Sequence, residues 1–513
     1  MSSAISATMS TATNVAMSTP MNAPLSMIEL QSILPLIVLT LAIVFLMLII
    51  AFKRTHGSTV GCTVVGLLLT LASIPVATAV GEQQMSLLTV DRYGMFFTLL
   101  MLGVALASTL LSWEYLRHRH ERNEEFYLLL LLATLGALVL VFANHVVSLL
   151  LGMELLGVSL YAMISYPDRG KLPLEAAIKY LVLSGCASAI LLFGFALIYA
   201  ALGSLSFVGI GERLASAADN QVLLLAGTAL VLTGIGFKLS VVPFHMWTPD
   251  VYQGAPLPVA GFLATVSKGA IFVVLLRLFM EAKLYQYSTL LIALSVLAVA
   301  SMLVGNLLAL QQQNIKRLLS YSSIAHFGYL LITLVAGGIL SGGKFAVEAA
   351  SYYVVAYMVT TLAAFAVIST LSSVKEFGEG AVDDEDEKQQ VADLSGLFWH
   401  RPLLAGLLTL ALLSLAGIPL TAGFIAKLYV FTSGIEGALW ILIGALVLGS
   451  AIGIYYYLRI IYVMTLQEEN KEIGHVNTSS QWLGEAVAMS LTVLVLWLGI
   501  FPQPLMIYIG KFF

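Results

Sequence analysis

The sequence predicts an all-α, polytopic membrane protein of about 14 transmembrane helices, with two inverted five-helix repeats and two broken helices. Three observations predict this fold. Of the 513 residues, 59% are hydrophobic and only 10% are charged, whereas soluble domains carry about 25% charged residues. Apolar stretches of about 20 residues, the length that a helix needs to cross a bilayer, recur along the chain. Gly and Pro interrupt two of these stretches beside a lysine.

The first apolar stretch is preceded by residues 1–26, which contain no charged side chain and are rich in Ser, Thr, Ala and Met. Because a signal peptide starts with a basic region, we expect a disordered polar tail here. A second polar segment, 203–220, is a connector between spans. The fourteen predicted spans are 29–52, 59–80, 93–113, 126–143, 145–166, 173–201, 222–249, 256–280, 287–309, 317–337, 344–374, 401–431, 436–465 and 484–508.

These spans divide into groups along the chain. We expect N-terminal helices 1–3 at 27–125, a first repeat of helices 4–8 at 126–280, a second repeat of helices 9–13 at 281–465, and helix 14 at 466–513. Inside the second repeat, the loop 375–400 carries an acidic run. Such a run is typical of a solvated loop, with a docking surface as the alternative.

Basic residues are distributed unevenly between the two sides of the predicted bundle. Loops after odd-numbered spans, with their flanks, hold fourteen of the 24 Lys and Arg residues, against six on the other side. Lys316, at the edge of span 10, is counted among the fourteen as a topology charge. Because cytoplasmic loops carry the excess of basic residues, we expect both termini on the periplasmic side. The remaining four basic residues are lysines inside predicted spans.

The repeat is predicted from two interrupted spans. Span 7 reads GIGFK at 234–238, followed by Pro243, and span 12 reads GIP at 417–419 and GFIAK at 423–427. Gly and Pro loosen the helical hydrogen-bond ladder, and paired interruptions in two halves of a transporter indicate an ion site. Since spans 7 and 12 are five apart, we predict a five-span unit, 4–8 against 9–13, and an odd number inverts the second copy.

Five ionisable residues lie inside predicted spans: Glu154, Lys179, Lys238, Lys268 and Lys427. A charged side chain at mid-membrane costs on the order of 3 kcal/mol on insertion scales, which indicates that these residues have a function. Because lysine and glutamate both exchange protons, a proton path is the first hypothesis. Glu154 lies about nine residues into span 5, roughly 14 Å at 1.5 Å per residue, near the bilayer centre.

The five residues suggest different roles. We expect Glu154 to pair with Lys238, so that separating the pair releases a proton and closing it reloads one. Lys268 is expected to pass protons between the two halves, and Lys427 to form an exit site. A static structural charge is the alternative for Glu154, Lys238 and Lys427, and a snorkelling side chain is the weaker alternative for Lys268. For Lys179, about two turns into span 6, the alternative is a side chain that snorkels to the membrane surface.

Other residue types limit the chemistry further. His245 is a candidate proton relay beside Lys238, with a hydrogen-bonded packing residue as the alternative, and neither His245 nor His326 has neighbours at metal-ligand spacing, so we expect no metal. Cys62 and Cys186 are too few for an iron–sulfur cluster and are expected to be small buried residues. The chain has no P-loop, Rossmann glycine pattern or nucleophile elbow, and its net charge of -4 favours no nucleic-acid partner.

Three motifs resemble a known family. They are GFKLSVVPFHMWTPDVYQGAP at 236–256, NIKRLLSYSSIAH at 314–326 and LAGIPLTAGF at 415–424. They resemble the antiporter-like subunits of bacterial respiratory complex I, the proton-pumping NADH:quinone oxidoreductase, and within them the subunit N family, the counterpart of mitochondrial subunit 2. Sister subunits carry a histidine-rich segment in the eighth span, whereas this chain has ATVSK at 264–268, which favours subunit N.

The resemblance implies a proton-translocating subunit that couples quinone reduction to proton pumping through buried Lys and Glu residues. The key groups of the family fall on Glu154, Lys179, Lys238, Lys268 and Lys427, with His245 as a proposed relay. It also implies a hetero-oligomer with other membrane-arm subunits in the lipid bilayer of a bacterial inner membrane. No cofactor is expected in this chain, because NADH, FMN, the iron–sulfur clusters and the quinone bind partner subunits.

Two other functions stay open at this point. One is a cation/proton antiporter, alone or within a complex, which sodium-dependent transport would favour. The other is a scaffold that fills the membrane without conducting protons. The five charges argue against the scaffold, because burying charged side chains is a costly way to fill space.

Overall fold

The computed structural model describes residues 26–117, 123–166, 171–214, 221–339, 343–375, 390–467 and 482–512. The predicted polar tail, up to residue 25, and the acidic run of the loop 375–400 lie outside these residues. Within them, thirteen helices are long and apolar enough to cross a membrane. The polytopic all-α fold is therefore confirmed.

We number the helices by their place in the predicted order of spans. Their bounds are α1 Leu34–Phe52, α2 His56–Ala79, α3 Arg92–Arg117, α4 Glu124–Phe142, α5 Val146–Ile164, α6 Lys171–Leu202, α7a Gln221–Leu239, α7b Trp247–Gly254, α8 Leu257–Glu281, α9 Ser288–Leu310, α10 Ile315–Ile339, α11 Lys344–Lys375, α12a Pro402–Ala416, α12b Ala422–Glu436, α13 Trp440–Thr465 and α14 Trp482–Ile500. Within α8, Leu263–Ser267 is a π-helical turn.

Short elements join these helices. They are the helices Met27–Ser32, Phe207–Leu214, Leu397–His400 and Gln503–Ile509, the 3₁₀ turns Leu284–Gln286 and Val391–Leu394, and the strands β1 Gln83–Gln84 and β2 Thr89–Val90. The strands are antiparallel, with Gln83 opposite Val90 and Gln84 opposite Thr89. The last predicted span, 484–508, is shorter than expected, since α14 ends before Pro502 and a proline cannot continue the helical hydrogen bonds.

Three helices form the centre of the molecule. The most apolar 18-residue stretches of α8 and α10 are completely buried, and that of α11 is 94% buried, whereas the figure for α1 is 28%. Outer helices therefore present apolar side chains to lipid or to other chains. Cys186 lies exposed on such a face of α6, and Cys62 is only partly buried. The expectation that both cysteines are buried was wrong, because which face of an all-apolar helix turns inward depends on its neighbours.

The interruption between α7a and α7b is held by contacts from outside the helix. Ser240 has a left-handed backbone, with φ of 61°. The Val242 N–H donates to Ser301 Oγ on α9 at 2.9 Å, and Trp247 Nε1 donates to the Phe237 carbonyl at 3.0 Å. Backbone groups freed at membrane depth need such partners.

The interruption between α12a and α12b is built on two glycines. Gly417 has φ of 88°, a left-handed conformation that ends α12a. Gly423 approaches α12a so closely that a Cβ there would lie 1.8 Å from the Ser414 carbonyl oxygen. Both predicted broken helices are thus present, five places apart in the order of spans. The two inverted repeats and their boundaries stay a prediction.

Candidate functional site

Lys238 is buried at the end of α7a and binds a hydroxyl group. Its side chain is 6% exposed, and its Nζ donates to Ser184 Oγ on α6 at 2.6 Å. Tyr161 Oη, on α5, donates to the same oxygen at 2.6 Å. A Cβ on Gly157 would lie 3.0 Å from Tyr161 Oη and 3.9 Å from Lys238 Nζ, so this glycine packs closely against the tyrosine that shares Ser184 with the lysine.

Glu154 contacts the same face of α6 as Lys238, but the two side chains do not contact each other directly. Its Oε1 accepts a hydrogen bond from Ser188 Oγ at 2.5 Å, and Ser188 follows Ser184 by one helical turn. Among the described residues, no ion pair within 4.0 Å joins Glu154 to Lys238. The two groups therefore face two successive serine hydroxyls, where we expected a direct pair. Helix packing, which the sequence does not specify, sets this spacing.

Lys179 lies in a more polar setting than the other lysines. Its side chain is 42% exposed, and its Nζ pairs with Glu175 Oε1 at 2.7 Å and with Asp250 Oδ2 at 3.0 Å. Asp250 Oδ1 also accepts from Arg317 at 2.7 Å. The ion cluster joins α6, α7b and α10 about two turns from the beginning of α6, as expected for the position of Lys179 in the span. Its partly exposed ammonium pairs with two carboxylates, which the sequence did not predict.

Lys268 is completely buried at the centre of the molecule. It follows the π-helical turn of α8, and its Nζ donates to Ser323 Oγ on α10 at 2.9 Å. Its Nζ lies 5.3 Å from the ring centroid of Tyr252 and 5.5 Å from that of Phe327, distances typical of cation–π contacts. Tyr357 Oη, on α11, donates to Ser323 Oγ at 2.7 Å.

Lys427 binds the carbonyl end of a broken helix. It is 9% exposed, and its Nζ donates to the carbonyls of Leu415 at 3.1 Å and Ala416 at 2.8 Å, the last residues of α12a. A cation is favoured at a helix C-terminus, where carbonyls lack intrahelical partners. The Tyr329 ring lies 5.3 Å from the same ammonium.

The two histidines differ in their surroundings. His245 is 6% exposed, and neither ring nitrogen has a hydrogen-bond partner among the described residues. Its ring faces Tyr321 at 6.4 Å, and no hydrogen bond joins it to Lys238. His326 Nδ1, by contrast, bonds to Tyr353 Oη at 2.7 Å. Among the described residues, no group of three or more His, Cys, Asp and Glu is arranged to hold a metal ion.

His326 and Tyr329 connect the central lysine to Lys427. The His326 ring lies 5.5 Å from the Tyr357 ring and 5.7 Å from the Tyr329 ring. Tyr357 reaches Lys268 through Ser323, and Tyr329 contacts Lys427. Hydroxyl and imidazole groups both donate and accept protons, so proton-exchanging side chains lie between α8 and α12, in ring contact with one another and not in a continuous hydrogen-bonded chain.

Several of these contacts were not predicted from the sequence. No role was predicted for the Ser184 hydroxyl or for Tyr329, although Ser322, His326 and Tyr329 share one face of α10 at helical spacing, and a polar face in an apolar span is a usable signal. Lys316 was expected to be a topology charge at the edge of span 10 but is 1% exposed. Its Nζ donates to the carbonyls of Ala255 and Gln253.

A family model described as NADH:quinone oxidoreductase/Mrp antiporter, transmembrane, matches residues 143–453, more than half of the chain. The chain belongs to this family. All six of the candidate residues lie within the matched region: Glu154, Lys179, Lys238, His245, Lys268 and Lys427.

One solved structure agrees with this family membership, and two others show the same fold. A chain of respiratory complex I from Thermus thermophilus, solved with bound aureothin, is 33% identical, covers 92% of this chain and 98% of its own length, and has a TM-score of 0.75. Two others share the fold. A chain of the Mrp complex from Dietzia sp. DQ12-45-1b is 19% identical, with a TM-score of 0.78 over 94% of this chain and 96% of that one. A chain of an archaeal membrane-bound sulfane sulfur reductase is 24% identical, with a TM-score of 0.77 over 94% and 97%.

Proposed function

We propose that this chain is the subunit N-type, proton-translocating subunit of a proton-pumping NADH:quinone oxidoreductase. It would couple quinone reduction to pumping in a bacterial inner membrane, within a hetero-oligomer of membrane-arm subunits and with both termini in the periplasm. NADH, FMN, iron–sulfur clusters and quinone would bind partner subunits and no cofactor would bind this chain. The likeness to the complex I chain from Thermus thermophilus supports this assignment.

The observation that carries the proposal is the row of buried lysines, each beside a hydroxyl or carbonyl oxygen. Lys238 binds Ser184, Lys268 binds Ser323, and Lys427 binds the end of α12a. A buried ammonium without a paired carboxylate is held weakly in its charged form. Such a group is suited to taking up and releasing protons during a transport cycle.

The proposed route runs along this row. Protons enter from the cytoplasmic side near Lys179, load Lys238, move through Lys268 and leave by way of Lys427. His245 would act as a relay. Its two ring nitrogens have no hydrogen-bond partner among the described residues, so one of them can bind a proton. Quinone reduction elsewhere in the complex would drive the cycle by changing the distance between Glu154 and Lys238.

The decisive experiment replaces Lys238 and Glu154 by alanine in the whole complex. We expect Lys238→Ala and Glu154→Ala to assemble on a native gel and to lose NADH-driven proton pumping by about tenfold or more, the effect of roughly 1.4 kcal/mol on a barrier. Quinone reductase activity should fall in parallel if turnover is coupled.

The matched control is Lys344→Ala, since this lysine is exposed at the beginning of α11. It should assemble and pump like the unmodified complex. Full pumping by assembled Lys238→Ala and Glu154→Ala complexes would instead support the scaffold function.

A cation/proton antiporter is the second candidate, because the matching family model covers Mrp antiporters as well as the oxidoreductase. The two functions differ in the ion that moves. Proton movement that depends on sodium, and continues without NADH, would favour the antiporter.

A further inference from the structure

Lys316 is a buried charge that the proposed proton route does not use. It is 1% exposed, at the beginning of α10, and its Nζ donates to the carbonyls of Ala255 at 2.9 Å and Gln253 at 3.2 Å. These carbonyls lie at the C-terminal end of α7b. Since the last carbonyls of a helix lack intrahelical partners and carry partial negative charge, an ammonium there fixes the end of the helix in place.

The next residue of α10 holds the same segment from its side. Arg317 donates to Asp250 Oδ1 at 2.7 Å and to Gln253 Oε1 at 2.9 Å. We call Lys316 and Arg317 the α10 clamp. Through two successive basic residues, α10 fixes both the backbone and the side chains of α7b, a segment of only eight residues whose connection to α7a is non-helical.

The α10 clamp holds α7b, and α7b carries an aromatic side chain that contacts Lys268. Tyr252 immediately precedes Gln253, is completely buried, and places its ring 5.3 Å from Lys268 Nζ. The attraction between an ammonium and a ring falls off with distance. A shift of α7b therefore changes how well the charged form of Lys268 is stabilised.

We propose that Lys316 is a positioning residue for proton transfer at Lys268. By binding the carbonyl end of α7b, it holds the Tyr252 ring against the Lys268 ammonium. This role rests on the proposed function, because it is defined by proton transfer through Lys268. It differs from a topology charge, which would lie at the surface.

The test compares Lys316→Met with Lys316→Arg in the whole complex. Methionine keeps the length of the side chain but cannot donate to the carbonyls, whereas arginine keeps both the charge and the donors. We expect Lys316→Met to lower the initial rate of NADH-driven pumping per assembled complex by about fivefold or more, and Lys316→Arg to retain most of it.

Arg459→Met is the matched control. Arg459 donates to the carbonyls of Leu310 at 2.9 Å and Gln312 at 2.6 Å, at the end of α9, so the substitution removes the same kind of contact. Because α9 carries none of the proposed route residues, this variant should pump normally. Equal losses in Arg459→Met and Lys316→Met would reduce Lys316 to a general stabilising contact and overturn the inference.

Tyr252→Leu tests whether Lys316 acts through the ring. If it does, the double variant with both Lys316→Met and Tyr252→Leu should pump as fast as whichever single variant pumps more slowly, since the effects of contacts that act as one unit are not additive. Additive losses would overturn the inference. If Lys316→Met does not assemble, Arg317→Gln tests the clamp in the same way: a loss that Tyr252→Leu does not deepen supports it, and full pumping overturns it.

The Lys238→Ala variant, measured in the same membranes, separates this inference from the proposed function. Full pumping there means that the proposed function is wrong. Lost pumping there, together with full pumping in Lys316→Met, means that only the role of Lys316 is wrong.

Discussion

Each buried lysine of the proposed route has neutral hydrogen-bond partners. Lys238 and Lys268 bind serine hydroxyls, and Lys427 binds backbone carbonyls. If an aspartate or glutamate were the partner, loss of the proton would leave a buried, uncompensated anion, which is strongly unfavourable. With neutral partners, the proton can leave without creating one. The contacts of these lysines thus suit a path better than a set of permanent ion pairs.

The role of the Ser184 hydroxyl in holding Lys238 can be tested by substitution. Removing it deprives the Lys238 ammonium of a hydrogen bond, and hydrogen bonds to charged groups contribute about 1.5–3 kcal/mol. We expect Ser184→Ala to slow NADH-driven proton pumping about tenfold, with assembly intact, and Ser184→Thr to restore most of the rate.

Ser159→Ala is the control, because Ser159 is also buried but donates only to the Leu155 carbonyl of its own helix. It should pump normally. Normal pumping in Ser184→Ala would mean that the serine contact is dispensable for Lys238.

Among the structural elements, irregular backbone adjoins each of the three buried lysines of the route. Lys238 ends α7a, Lys268 follows a π-helical turn, and Lys427 lies beside the break between α12a and α12b. π-Helical turns are frequent at functional sites, and interrupted helices present carbonyl groups that a continuous helix would use internally. The break in span 12 supplies the carbonyl oxygens that hold Lys427, whereas Lys238 and Lys268 bind serine hydroxyls of the neighbouring helices α6 and α10.

Gly417 makes one of these irregularities possible. It has φ of 88°, and a Cβ there would lie 2.8 Å from Lys427 Cδ and 3.2 Å from its Nζ. We expect Gly417→Ala to lose pumping, since the methyl group displaces the lysine from the carbonyls and the left-handed backbone costs about 1–2 kcal/mol with a Cβ. Pumping and thermal stability of the purified complex are the measurements.

Gly406→Ala is a matched control on the same helix, because a Cβ there meets nothing within 4 Å. It should keep both pumping and stability. A Gly417→Ala complex that pumps normally would show that Lys427 does not need its carbonyl ligands.

The elements also show what a single sequence can predict. The length of the apolar stretches predicted thirteen of the spans. Gly417 and Pro419 predicted the break in the remaining one, span 12. Both signals are local in the sequence. The contacts between Lys238 and Ser184, and between Lys316 and α7b, depend on which helix faces packed together. Lys316 illustrates the limit: a lysine near the end of an apolar stretch has the same local sequence whether it is buried or at the surface.

The whole molecule places its charges unevenly across the membrane-spanning helices. Lys238, Lys268 and Lys427 are buried, whereas Glu154 is the one carboxylate in the middle of a described spanning helix, the others lying near helix ends. Three helices, α8, α10 and α11, are almost fully buried. They carry the lysine, histidine and hydroxyl side chains that lie between the first half of the chain and α12. The interior is thus lined by proton-exchanging cations and hydroxyls, with little negative charge.

This charge pattern predicts that the chain moves protons and not sodium ions. A sodium ion needs several oxygen ligands and is repelled by ammonium groups, and the middle of the described spanning helices offers it one carboxylate, whereas Lys238, Lys268, Lys316 and Lys427 are all buried. In vesicles that contain the assembled complex, a sodium pulse without NADH should therefore cause no proton movement, and NADH-driven pumping should be equally fast with sodium or potassium salts. Vesicles with assembled Lys238→Ala complex give the background leak. Sodium-driven proton movement above that background would contradict the prediction, because it would require a cation site that these buried lysines disfavour.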